Sequence, residues 1–215
     1  MKNLPRFIAF IASALVLLLF VYPLWRITLE APQYPEGISM YIWINQITGD
    51  TPGTLQNINI LNHYVGMQQI VPSSIPELQY FPYVVAALGV LGLIAALVNR
   101  PKVYLIWVII FGALAFLGIY DFYLWEYDYG HNLSATAPIK VPGQAYQPPL
   151  FGSKMLLNFN AISYPAGGGI FMGISLMLSF LAYLLSRSSK KTPVNSASLK
   201  APKTKQKAKP HLQHF

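Results

Sequence analysis

His63 and Met67 stand four residues apart in LNHYVGM, so on a helix both side chains lie on one face. An imidazole beside a thioether is a ligand set for copper, above all Cu(I), because the thioether sulfur is soft. Asn62 flanks the pair, and Met40, in a separate segment, offers a second thioether. A second cluster lies in DFYLWEYDYGHNL, residues 121–133. Asp128 precedes His131 there by three residues, and a carboxylate so placed fixes the tautomer of an imidazole and raises its basicity. Asp121 shares the helical face of Asp128, and Glu126 points elsewhere on the same turn. The candidate metal ligands are therefore His63, Met67 and His131. Asp128 would orient His131, and Met40 and Glu126 are further donors. The competing reading is plain: a histidine and a methionine that pack on a half-buried helix, and a helix end that is polar because it is wet.

Nothing comparable supports catalysis. A hydrolase would need Ser134 or Ser153 placed as a nucleophile against a base, and no pattern places either. There is no P-loop, GxGxxG, GxSxG or HExxH motif. The chain has no cysteine, which excludes disulfides, thiolate metal sites, a Cys nucleophile and covalent heme attachment. We expect a protein that is not an enzyme.

The elements that position these segments follow from composition. Charged residues make up only 10% of the chain, against roughly a quarter in a soluble domain. Four apolar stretches, residues 7–25, 80–98, 103–120 and 168–186, contain no charged side chain. Each approaches the roughly 20 helical residues that span a bilayer core. Residues 7–25 read as an uncleaved anchor, since the run is too long for a signal peptide and no small-x-small site follows it. The ionisable residues that mark a transport path inside a membrane are missing from all four stretches, which argues against a pump or channel.

Charge sets the expected orientation. Lys2, Arg6, Arg100, Lys102, Arg187 and seven lysines from Lys190 to Lys209 would share one side, with no acid among them. All seven acids, with only Arg26, Lys140 and Lys154, fall on the other. By the positive-inside rule the first side is cytoplasmic. The net charge of +8 is thus the sum of a basic inner and an acidic outer face, and not a nucleic-acid signal. The reading is an all-α membrane protein of the cytoplasmic membrane with four transmembrane helices and both termini inside. Residues 1–25 hold the first helix, 26–79 an outer loop, 80–120 the second and third helices around a tight basic turn, 121–167 a second outer loop, 168–186 the fourth helix, and 187–215 a disordered basic tail. His211 and His214, in that tail, look incidental.

The outer loops exceed what a connection needs and are expected to pack as a small outer domain. Residues 38–44 (ISMYIWI) read as a strand, 55–67 as a helix with apolar residues at 55, 58, 61 and 65, and 138–149 as extended and proline-rich. The third helix is expected to run past the interface to a stop near Gly130. Tyr22, Trp25, Tyr80, Tyr83, Tyr120, Tyr123 and Trp125 fall at the outer helix ends, as an aromatic belt does.

Three segments together, APQYPEG (31–37), INILNHYVGM (58–67) and YDFYLWEYDYGHNL with PIKVPGQAYQPPLFG (within 120–152), resemble a family of multi-pass membrane proteins that accompany nitrous oxide reductase maturation genes in denitrifying microbes. The resemblance covers most of residues 22–169 and leaves out the tail. It implies an accessory protein that handles copper, or assists maturation of an extracytoplasmic copper enzyme, with that enzyme or its maturation proteins as partners. The alternative is a scaffold or electron-transfer subunit without metal. A heme- or quinone-binding subunit ranks below both, because the two histidines sit in or near loops.

Overall fold

The computed structural model describes residues 3–188. Helix α1 spans Leu4–Leu17 and continues as a single 3-10 turn, Leu18–Phe20. Strands β1 (Trp25–Ala31), β2 (Tyr34–Ile42) and β3 (Ile47–Gly49) follow, then helix α2 (Thr54–Val65). Helices α3 (Glu77–Val98) and α4 (Pro101–His131) form a hairpin. Strands β4 (Gly152–Leu156) and β5 (Phe159–Pro165) lead into α5 (Gly167–Ser188).

This corrects the all-α expectation. The five strands make one antiparallel sheet in the order β3-β2-β1-β5-β4, so the class is mixed α/β. The count of four spanning helices is also overturned. Three helices, α3, α4 and α5, are long and apolar enough to cross a membrane, whereas the apolar helix Leu4–Phe20 is shorter. The physical reason lies at residues 18–25. The expected first span ran to Trp25, but the chain leaves α-geometry after Leu17, and Trp25 is the first residue of β1, paired with Ile42 and Pro165.

β1 is the centre of the sheet, and it joins the halves of the chain. Ile27 faces Met40 on β2 and Ser163 on β5; Leu29 faces Ile38 and Ala161. The buried face of β5 is built from Ala161 and Ser163, both at 0% exposure, and β4 buries only Leu156 fully. Small buried residues give no alternation of large apolar and polar side chains, which is why this hairpin left no strand signal. The strand expected at 38–44 is realised as β2, four residues earlier at its start.

The helices form a bundle whose core holds Ala9, Ala12, Val16, Leu88, Ala95, Tyr104, Trp107, Phe111 and Ala182. Small residues let the backbones approach. Ser175 Oγ donates to Ala12 O across the α1–α5 contact at 2.7 Å, and Trp107 Nε1 donates to Leu88 O at 3.2 Å across α3 and α4. α1 and α4 run toward the sheet, and α3 and α5 run away from it. Arg6, Arg100, Lys102 and Arg187 therefore mark the end of the bundle remote from the sheet. The tail expected at 187–215 falls, from residue 189 on, outside the described residues.

α4 is the element that links the bundle to the sheet. Its 31 residues measure about 46 Å at about 1.5 Å each, against about 30 Å for a hydrocarbon core. The apolar stretch ends at Tyr120, so the helix is longer than a crossing requires by about residues 121–131. Trp125 and Tyr129, from this extension, pack with Ile27, Ile38, Met40, Ile47, Ile58, Ile70 and Leu78 in a second core between the sheet, α2 and α4.

Candidate functional site

α2 ends in a way that separates His63 from Met67. Gly66 adopts φ +84°, its N–H bonds to His63 O at 3.2 Å, and Met67 N–H reaches back to Asn62 O at 2.9 Å. This is the Schellman ending that a left-handed glycine provides. Met67 therefore lies past the helix, on a returning strand of chain. Asn59 clamps that return: its Oδ1 accepts from Ile70 N–H at 2.7 Å and its Nδ2 donates to Ile70 O at 3.1 Å. Asn62 Nδ2 adds a bond to Gln68 O. The consequence is that Met67 turns toward the second core, while His63 stays exposed on the outer side of α2.

The second core borders a cavity of about 80 Å³ that is partly open to the surface. Ile27 and Leu29 of β1, Met40 of β2, Ile58, Leu61 and Asn62 of α2, Met67 and Ile70 of the return, Trp125, Glu126 and Tyr129 of α4, and Tyr146 are among the residues that line it. Three of the six sequence-predicted donors, Met40, Met67 and Glu126, thus meet at one cavity, from three different elements. The walls are otherwise apolar. A volume of this size holds a few water molecules or an ion, and lies well below the roughly 300 Å³ at which small-molecule pockets begin.

Glu126 is 1% exposed, and neither carboxylate oxygen has a hydrogen-bond partner among the described residues. Burial in apolar surroundings disfavours the ionised form and pushes its pKa from 4.5 up to about 8. The same cavity holds a second orphan, the Tyr146 hydroxyl, which is buried without a partner among the described residues. Buried polar groups nearly always find partners, so two lone ones facing one small cavity point to an occupant. Tyr129, beside them, is satisfied: its hydroxyl donates to Gln69 O at 3.3 Å and its ring packs 4.4 Å from that of Trp125.

The other predicted donors lie elsewhere. His131, at the end of α4, is exposed; its ring stacks on Tyr127 at 4.0 Å and its Nδ1 sits 2.9 Å from Tyr127 O. A carbonyl only accepts, so Nδ1 carries the proton and Nε2 of the neutral ring keeps its lone pair. Asp128 does not orient it: Asp128 Oδ1 accepts from Asn132 Nδ2 at 3.0 Å. Neither His63 nor His131 lines the cavity, and among the described residues no three histidine or carboxylate side chains converge as a metal cluster would require. Tyr129 and Tyr146 were not anticipated. Tyr129 carried a signal, being three residues after Glu126 on the same helix, whereas Tyr146 sits in a proline-rich segment whose folding back onto α4 has no local pattern.

That return is visible at Gly130. A Cβ there would lie 2.3 Å from Gln147 Cα, and Tyr146 N–H donates to Gly130 O at 2.9 Å. The glycine is what allows the segment to seat Tyr146 against the cavity. Asp50 organises the β3–α2 turn. Its Oδ1 accepts from Thr54 Oγ1 at 2.6 Å and its Oδ2 from Ser39 N–H at 3.0 Å. Partial burial works against the charge, but these bonds outweigh it and hold the carboxyl below its ordinary value.

No protein family, no curated protein and no solved structure matches this chain.

Proposed function

We propose that this chain is a membrane accessory protein that holds copper(I) as cargo in the cavity between the sheet, α2 and the end of α4. The observation that carries this reading is Glu126, a buried carboxyl without partners, facing a cavity that also receives the thioethers of Met40 and Met67. Two soft sulfurs with one carboxylate suit Cu(I), and the carboxylate supplies the charge that offsets the ion. Asn62 and Tyr146 would border the ion; the apolar walls would exclude water and discourage oxidation. His63 and His131, exposed on the same domain, would act at transfer to or from a partner rather than within the cavity. We assign no reaction to the protein.

Three long apolar helices make it a membrane protein. The finer placement is part of the proposal. With Arg100, Lys102 and Arg187 at the far end of the bundle, that end would lie in the cytoplasm, and the cavity would face the compartment outside the cytoplasmic membrane. A copper enzyme matured there, nitrous oxide reductase being the instance suggested by the sequence resemblance, would be the recipient. The test is metal analysis of purified protein after anaerobic loading with Cu(I). We expect stoichiometric copper in the parent, lost in a Met40→Ala, Met67→Ala double variant. Copper retained in that variant and lost in His63→Ala would move the site out of the cavity and defeat the proposal.

A further inference from the structure

A strand turns successive side chains to opposite faces of its sheet. On β1, Ile27 and Leu29 pack in the second core, so Arg26, Thr28 and Glu30 line the other face. Arg26 stands opposite Tyr41 of β2 and Tyr164 of β5. The Phe151 ring extends this row, meeting Tyr164 edge-on at 4.8 Å between centroids. Arg26 is exposed, as are Tyr164 at 40% and Phe151 at 64%. Among the described residues Arg26 has no hydrogen bond and no ion pair. Glu30, the acid on the same face of β1, lies four residues or about 13 Å along the strand and accepts from Asn160 Nδ2 at 3.0 Å. The row of Arg26 is close to the helices. Ala166 N–H donates to Leu24 O at 3.0 Å and Gly168 N–H to Pro23 O at 2.8 Å, which ties the start of α5 to the chain that enters β1. Tyr164 is three residues, at most about 10 Å, from Gly167. The 22 residues of α5 measure about 33 Å, close to the roughly 30 Å of a hydrocarbon core. Where α5 crosses the bilayer, Gly167 falls at the edge of the hydrocarbon, and the row falls against the headgroup layer, within reach of a side chain as long as arginine.

We propose that Arg26, flanked by Tyr41, Tyr164 and Phe151, binds the phosphate of a membrane phospholipid and so holds the sheet against the bilayer. A guanidinium is a planar fork that takes a phosphate through two parallel N–H···O bonds. Tyrosine, apolar along its ring and polar at its hydroxyl, suits the same layer. The charge pattern of the open face agrees: the cation stands at the helix end of β1 and the acid at the far end. The proposal requires α5 to cross the membrane and does not rest on the copper(I) reading.

The test is native mass spectrometry of the full-length protein in detergent, titrated with phosphatidylglycerol. Arg26→Gln is expected to raise the Kd of the tightest-bound lipid about tenfold, which corresponds to about 1.4 kcal/mol. Arg26→Lys, which keeps the charge and loses the fork, is expected to raise it about threefold. Should Arg26→Gln not fold, Arg26→Lys carries the test. Lys140→Gln, which removes an exposed cation from the segment between α4 and β4, is expected to leave the Kd unchanged. Diacylglycerol with the same chains, which lacks the phosphate, is expected to bind parent and Arg26 variants alike, and inorganic phosphate at the lipid's concentration is expected not to compete. Parent-like affinity in the Arg26 variants, or an equal loss in Lys140→Gln, would overturn the site. Diacylglycerol binding that also depends on Arg26, or displacement of the lipid by inorganic phosphate, would overturn the lipid phosphate as its occupant. None of these outcomes depends on whether copper binds, so the copper reading stands or falls separately.

Discussion

Replacing Glu126 by glutamine isolates the cost of burying this carboxyl. With a pKa raised by burial from 4.5 to about 8, the folded protein keeps a proton on Glu126 that the unfolded chain has released. In that window the folded state binds more protons, so stability falls as pH rises. The contribution is fully favourable below the unfolded value and is lost progressively up to the folded one. At about 1.4 kcal/mol per pH unit, the difference between the unfolded and folded values corresponds to a loss on the order of 5 kcal/mol by about pH 8. Glutamine does not titrate. The stability difference between Glu126→Gln and the parent should therefore be small near pH 4.5 and should grow in favour of the variant toward pH 8. Thermal unfolding followed by tryptophan fluorescence is a suitable assay, since Trp125 lines the cavity. Bound Cu(I) should narrow the gap near pH 8, because the ion needs the carboxylate; at a free concentration about 100 times its Kd it would stabilise the parent by about 2.7 kcal/mol, roughly half of that loss. Parallel pH profiles, or a parent that gains on the variant as pH rises without metal, would refute the reasoning and mean that Glu126 is ionised and paired in the fold.

Further outcomes follow from other contacts. Gly130→Ala places a Cβ 2.3 Å from Gln147 Cα and should destabilise the protein by about 1–3 kcal/mol, measured by denaturant or thermal unfolding, with the segment around Tyr146 becoming open to protease. Gly92→Ala would meet Ser13 Oγ at 2.3 Å and the Trp107 ring at 2.4 Å, and should loosen the helix bundle, lowering the yield of monodisperse protein from membranes. Asp50 has a lowered pKa, so its contribution to stability is present above pH 3.8 and is lost as pH falls through its folded value. Asp50→Asn should flatten the acid limb of the stability profile. Asp128→Ala and His131→Ala, both on the exposed side of α4, should leave Cu(I) affinity in the cavity within about threefold, read by competition with a chromogenic chelator.

What could be read in advance divides along physical lines. Helices α3, α4 and α5 announce themselves by long uncharged runs, and the extension of α4 beyond its apolar stretch shows in the acids that follow Tyr120. β2 shows in its β-branched and aromatic run. β1 was hidden because Trp25 looks like the end of a membrane anchor and WRITLEA mixes charge with apolar residues. β4 and β5 were hidden because their buried face uses Ala161 and Ser163. At the site, spacing misled about which residues meet. His63 and Met67 look like partners on one face only if the helix continues; Gly66 ends it and sends them apart. Met40, Met67 and Glu126 are brought together by the sheet, a helix cap and the α4 extension at once, a convergence that no local pattern encodes.

The central claim is that copper(I) is held by Met40, Met67 and Glu126. X-ray absorption at the copper edge on the anaerobically loaded full chain tests it most directly. The account predicts a coordination sphere with two sulfur scatterers and one oxygen, with sulfur lost stepwise in Met40→Ala and Met67→Ala. A sphere of imidazole nitrogens without sulfur, abolished by His63→Ala or His131→Ala, would contradict it.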